Sequence, residues 1–374
     1  MQEWRQRENV GSSSRRTKRM CLQPVRGGIC FALLLFPSVL PLASLDPTRS
    51  LTSPQTSATA VQPAHPIPPK LSFVRVFSSP DDVRSTHPVL DRTLDVIAGP
   101  SDAVAHPSAL QSPSAVVTDS NHRVFVADTG AKAVHVFDFL RLKYARWEGS
   151  GDRLHTPVSL ALDGHDNLYV VDQSDSTVLV YDAAGKFRRY LGKLRGGESY
   201  FSSPTGIAID RATGQIFVSD RQAQMIFVMD KRGKPIRKLG SRGGGSQPGE
   251  FKSPTQVVVA GHELFVLDAG NTRIQVFDLS GRFLRAMSLG YADQHTGFAV
   301  DNDADIYVSD RALNQIQIFG PDGQPLYRFD PSSIKDENFG HPSAMWVDSN
   351  HLYVVDSPSQ CVGLFQIGAG AAAH

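Results

Sequence analysis

Six aspartates close short apolar runs at a near-regular interval: Asp128, Asp172, Asp220, Asp268, Asp310 and Asp356, separated by 44, 48, 48, 42 and 46 residues. A carboxylate can ligate a cation, move a proton or accept backbone N–H bonds in a turn. A catalytic or metal centre draws particular residues from particular elements. One acid per repeat at a fixed place instead predicts a strand terminator whose carboxylate accepts N–H groups from the following turn. Three histidines, His155, His295 and His341, stand at the opening of the same runs in three different repeats. Imidazole is a common zinc ligand, so these are candidates for a metal or ligand site. Five hydroxyls, Ser114, Thr205, Thr255, Thr296 and Ser343, share the second position of their runs, with Val158 in the remaining one. They can bind a small polar ligand or cap the backbone where each strand starts.

Other chemistry has little support. There is no Gly-x-Ser-x-Gly elbow, and "RGGGS" (242–246) is not followed by the Lys-Ser/Thr of a phosphate loop. Beyond the first 30 residues Cys361 is the lone cysteine, which excludes an internal disulfide or a cysteine-based metal site there and reads as a small apolar strand residue. No cofactor is expected. One compositional feature favours binding. Residues 186–242 hold thirteen basic side chains against four acids, in a chain whose formal net charge is +1. Arg188, Arg189, Lys193, Arg195, Lys231, Arg232, Lys234, Arg237, Lys238 and Arg242 form a candidate patch for an anionic polymer or the acidic face of a partner.

These residues need elements to position them. The run "SPTGIAIDRATGQIFVSD" (203–220) recurs as "SPSAVVTDSNHRVFVAD", "TPVSLALDGHDNLYVVD", "SPTQVVVAGHELFVLD", "QHTGFAVDNDADIYVSD" and "HPSAMWVDSNHLYVVD". Each copy is two alternating apolar stretches around a turn. A third follows, such as "TVLVYD" or "RIQVFD", and most copies add a fourth after a Gly turn, such as "GKPIRKLG". Period-two alternation rich in β-branched and aromatic residues predicts strands. Four strands per unit with a period in the forties predicts a propeller blade, and six blades must pack in a ring because none buries both faces alone. The fold class is therefore all-β: a six-bladed β-propeller, four antiparallel strands per blade. The last unit stops after three strands. An N-terminal strand must close the ring: residues 93–99, "TLDVIAG", are the first choice, because Gly99 precedes Pro113 by 14 residues as Gly240 precedes Pro254, and "LSFVRVF" (71–77) is then an extra edge strand or, second, the closing strand itself.

Ahead of the repeats, residues 1–45 hold seven basic residues against Glu3 and Glu8 and run into "ICFALLLFPSVLPLAS" (29–44). This reads as an export signal or, second, an uncleaved membrane anchor, and predicts a periplasmic or extracellular protein. Residues 46–70, rich in Pro, Ser and Thr, read as a disordered linker, 71–368 as the propeller, and 369–374 as a disordered tail.

"SPTGIAID", "NLYVVD" and "NTRIQVFDLSGRF" resemble NHL repeats, and the spacer "GSRGGGSQPGEFKSP" has that family's Gly-rich form. The resemblance covers roughly residues 93–367 and implies a six-bladed propeller whose relatives include receptors, RNA-binding domains, scaffolds and enzymes. A peptide-amidating zinc lyase of this kind carries histidine just after the Pro that opens the inner strand. The matching positions are Ser114, Val158, Thr205, Thr255, Thr296 and Ser343, so that ligand set is missing. Animal NHL domains bind RNA through a basic face, but export argues against nucleic acid. The expectation is a monomeric, non-catalytic binding scaffold of the cell envelope. A metal-dependent (Zn or Ca) hydrolase or lyase at the channel mouth, and an anionic-polymer binder through blades two and three, are the alternatives.

Overall fold

The computed structural model describes residues 71–84, 110–148, 154–194, 196, 198–290, 295–331, 334 and 339–368. The expected leader, linker, C-terminal tail and the 93–99 segment lie outside the described residues, as does Arg195. Six four-stranded antiparallel sheets form the blades. Their inner strands are Pro113–Thr118, Pro157–Leu162, Pro204–Ile209, Pro254–Ala260, His295–Val300 and Pro342–Asp348. Each is followed by its second strand, which ends in the repeat's aspartate, and then by a third and an outer strand.

An N-terminal strand closes the ring as expected, but it is the second choice, 71–77, rather than 93–99. Leu71–Phe77 completes the sixth sheet, pairing antiparallel with Cys361–Ile367 from Leu71 opposite Ile367 to Phe77 opposite Val362. Its two apolar ends decide the matter. Leu71 and Phe77 are 2% and 1% exposed. The Phe77 ring packs edge-on against Phe137 and Phe139 of the first blade, at 5.0 and 5.1 Å between centroids. Arg75 lies 3.9 Å over the Phe139 ring. The strand therefore locks the last blade to the first, and the ring has no free edge at that seam.

The core is not one mass. It is divided into six apolar clusters, one at each junction between neighbouring blades. This explains the alternation in the sequence: both faces of a central strand meet a neighbouring blade, so Val124–Asp128 and its counterparts are buried along their whole length. Cys361 belongs to the junction of blades five and six, buried as the sequence predicts.

Two features position the candidate residues. Every inner strand carries a register shift just after its opening residue, as between Pro113 and Ala115. The shared second position is thus the extra residue of a β-bulge, a place where a side chain is re-aimed. Turns also alternate between the two ends of a four-stranded meander. The turn after the inner strand and the turn before the outer strand therefore share one face of the ring. Loops between blades share the other. On the first face, Gly233 allows the tight turn that presents Lys231 and Arg232. Its φ is +80°, and a Cβ there would stand 2.4 Å from Leu191.

Candidate functional site

The strand-end aspartates act on the backbone. Asp128 accepts N–H bonds from Gln111, Ser112 and Ala131 at 2.7, 2.9 and 2.8 Å. Asp220 accepts them from Ser202, Ser203, Gln222 and Ala223. Asp172 and Asp356 repeat the pattern. Asp310 holds Ala312 and Leu313, and Asp268 holds Lys252. The following turn was legible in the sequence. The second set of donors, in the loop that opens the inner strand of the same blade, was not. Each carboxylate so placed pins two loops at once.

Two of the hydroxyls tie neighbouring blades together. Ser114 Oγ donates to the carbonyl of Pro157, the residue that opens the next blade, at 2.7 Å. Thr205 Oγ1 reaches Pro254 in the same way at 3.3 Å. Ser343 Oγ donates within its own blade, to Val355 O at 3.0 Å. Thr255 Oγ1 is buried with no hydrogen-bond partner among the described residues. The side chains of Thr296 and His295 lie outside the description. His155 Nδ1 is 3.2 Å from Asp175, and together with Asp172 they form a three-residue cluster of metal-ligand types. Among the described residues this is the one such cluster, and His341 does not join it. Asp172 already receives backbone N–H groups from His155 and Thr156.

The basic patch divides. Arg188, Arg189, Lys231 and Arg232 converge on a groove of about 440 Å³ between blades two and three, beside Asp163, His165 and Tyr169. Arg189 is held there by the carbonyls of Lys231 and Arg232, and Arg188 by Asp182 at 2.8 Å. Lys231 and Arg232 are exposed, with no side-chain ion pair among the described residues. The others lie elsewhere. Lys193 and Lys238 sit over the rings of Tyr190 and Phe227, at 4.0 and 5.3 Å. Arg237 bonds the Leu279 carbonyl of blade four. Lys234 lies in the turn after Gly233, and Arg242 belongs to the opposite-face loop after the third blade's outer strand.

A second cavity of about 440 Å³ is the central channel, walled by inner strands of blades one to four and six. At its mouth on the turn face, Arg211 Nη2 donates to Thr118 O at 3.3 Å and Trp346 Nε1 donates to Thr118 Oγ1 at 2.9 Å. Arg211 borders both cavities. Sequence reasoning counted Arg211 in the basic stretch but did not single it out. The available signal was its place after the turn aspartate, where other repeats carry Ser120, Gly164, Asn302 and Ser349.

Comparison with known proteins agrees with this architecture. A family model described as "6-bladed beta-propeller" matches residues 113–222 and 207–318, together more than half of the chain. The protein brain tumor of Drosophila melanogaster is 32% identical over 119 residues, covering 30% of this chain and 11% of that protein. This chain thus spans about a tenth of that curated relative. Among solved structures, a streptogramin B lyase superposes with a TM-score of 0.52 at 11% identity, covering 71% of this chain and 96% of that one. Virginiamycin B lyase from Staphylococcus aureus gives 0.54 at 11% identity, covering 80% and 100%. Hydrazine synthase from Kuenenia stuttgartiensis gives 0.50 at 14%, covering 73% and 100%. At such identities the likeness is one of fold.

Proposed function

We propose that this chain, which belongs to the 6-bladed beta-propeller family, is a binding module that holds an extended anionic chain, such as a sulfated or uronic-acid glycan, in the groove between blades two and three. The observation that carries the reading is the convergence of Arg188, Arg189, Lys231 and Arg232 on one groove, from a strand of blade two and a turn of blade three. Asp182 and Asp230 do not neutralise it. Asp182 pairs with Arg188 alone, and Asp230 accepts the backbone N–H groups of Arg232 and Lys234. Lys231 and Arg232 remain for a ligand. Export, read from the basic and apolar leader, is part of the proposal and fits a glycan better than a nucleic acid.

Fluorescence anisotropy with a labelled heparin oligosaccharide tests the reading. Affinity should fall steeply with added salt. The double variant Lys231→Ala, Arg232→Ala should weaken binding about tenfold or more, and Arg242→Ala should leave it unchanged. Binding that ignores both salt and the double variant would sink the proposal.

A metal-dependent hydrolase or lyase is favoured by one observation, the His155, Asp172 and Asp175 cluster. Metal analysis of protein dialysed against chelator-free buffer separates the readings. Stoichiometric zinc or calcium, lost in His155→Ala, would favour the enzyme.

A further inference from the structure

Among the places where repeat symmetry fails, three inner-strand or turn positions are brought by the fold to one point. At the penultimate core position of the inner strand the blades carry Val117, Ala161, Ala208, Val258 and Ala299, but the sixth carries Trp346. At the next position Leu162, Ile209, Val259, Val300 and Val347 are apolar, but the first blade carries Thr118. In the turn beyond, the small or polar residues of other blades give way to Arg211 in the third. Ring packing alone asks for the same residue type in every blade. Three departures in three blades, joined by the hydrogen bonds of Arg211 and Trp346 to Thr118, mark a site rather than a scaffold requirement.

The surroundings say what it would take. The channel below is walled by apolar side chains such as Val117, Leu160, Ile207, Val257 and Met345. Its volume of about 440 Å³ falls in the ~300–1,000 Å³ range of small-molecule sites. Arg211 is exposed and has no carboxylate partner among the described residues. Its contact with Thr118 O, at 3.3 Å, is long for an N–H···O bond. A carboxylate would offer the guanidinium two charge-assisted bonds in its place. The indole supplies a flat apolar surface beside that charge. The adjoining depression on the other side of Arg211 is bordered by Asp301 and Asp348, which disfavours an extended polyanion at the mouth.

We propose that the corner formed by Thr118, Arg211 and Trp346 is the recognition site for a small carboxylate with an apolar body, the body lying in the channel and the carboxylate on Arg211. This site shares Arg211 with the rim of the groove between blades two and three but uses neither Lys231 nor Arg232.

Isothermal titration of the full chain with 4-phenylbutyrate and its neutral amide tests it. The acid should bind saturably at one site, at least about tenfold more tightly than the amide, as removal of a charged hydrogen-bond partner predicts. Arg211→Met should abolish the difference between acid and amide, Arg211→Lys should keep part of it, and Lys231→Ala with Arg232→Ala should leave it intact. Trp346→Phe should remove the change in indole emission on binding. Absent saturation, equal binding of acid and amide by the unaltered chain, or an unchanged preference in Arg211→Met would overturn the proposal. Should Arg211→Met melt early, the acid and amide comparison on the unaltered chain decides.

Discussion

His135 Nε2 stands 3.5 Å from the carboxylate of Asp128, and neither side chain is exposed to solvent. The other ring nitrogen, Nδ1, meets the Tyr144 hydroxyl at 2.7 Å. In blades four and five the same third-strand place holds Gln275 and Gln317, each donating to its own strand-end aspartate. The first blade thus sets an imidazole beside the buried carboxylate at the place where two others set an amide that hydrogen-bonds it.

That environment gives a pH dependence. Burial opposes ionisation of Asp128, but the His135 ring and the N–H groups of Ala131, Gln111 and Ser112 outweigh it and hold the carboxyl down at about 2. An unfolded aspartate titrates near ~3.9. The lowered value therefore adds stability above pH ~4 that is lost as pH falls from about 4 towards 2, amounting to about 2–3 kcal/mol. Urea unfolding between pH 2 and pH 6 should show this loss, and Asp128→Asn should flatten it. An unchanged acid limb in the variant would refute the assignment.

Closure gives a second prediction. Phe77 fills the seam between the last and first blades, so Phe77→Ala should cost about 3–5 kcal/mol. Equilibrium unfolding would show it as a lower urea midpoint. A midpoint within error of the unaltered chain would mean that another segment closes the ring.

The same strand shows what was legible beforehand. Repeat period, strand count and blade number followed from alternation and spacing, because those reflect local backbone geometry that every blade shares. The choice between 71–77 and 93–99 rested on register counting, and both segments alternate. What separates them is a non-local fit: Phe77 against Phe137 and Phe139, and Leu71 in the junction of blades five and six. No spacing rule carries that information. The candidate site divides the same way. The basic stretch was visible as composition, but only folding separates Arg188, Arg189, Lys231 and Arg232, which share a groove, from Lys193 and Lys238, which lie over rings.

The ring of hydroxyls should prove structural at one member and dispensable at another. Ser114 Oγ bonds the Pro157 carbonyl at 2.7 Å, so Ser114→Ala should cost about 1 kcal/mol. Thr255 Oγ1 is buried with no partner among the described residues, so Thr255→Val removes an unsatisfied group at nearly constant shape and should be neutral or stabilising. Thermal melts of the two variants should therefore move in opposite directions or diverge clearly. Equal losses would mean that the Thr255 hydroxyl is engaged.

Finally, the Gly-rich stretch 242–246 is held from the third strand of blade four, Arg273–Asp278, and the turn before it. Arg273 donates to the carbonyls of Ser246, Gln247 and Glu250 and, through Nε, to Asp268 at 2.8 Å. Asn271 Nδ2 reaches both Gly245 O and the same Asp268 oxygen. A loop whose carbonyls face a guanidinium presents the wrong groups to a phosphate, which needs donors. Arg273→Ala leaves a buried carboxylate short of a cation and releases four contacts together, so its cost should be about 3 kcal/mol or more. The loss should be local first. Hydrogen exchange at 243–251 should speed up, and trypsin should cut after Arg242, under conditions in which the strands of blades one and two stay protected. Protection at 243–251 that survives the substitution would show that the glycines, not the arginine, set the loop.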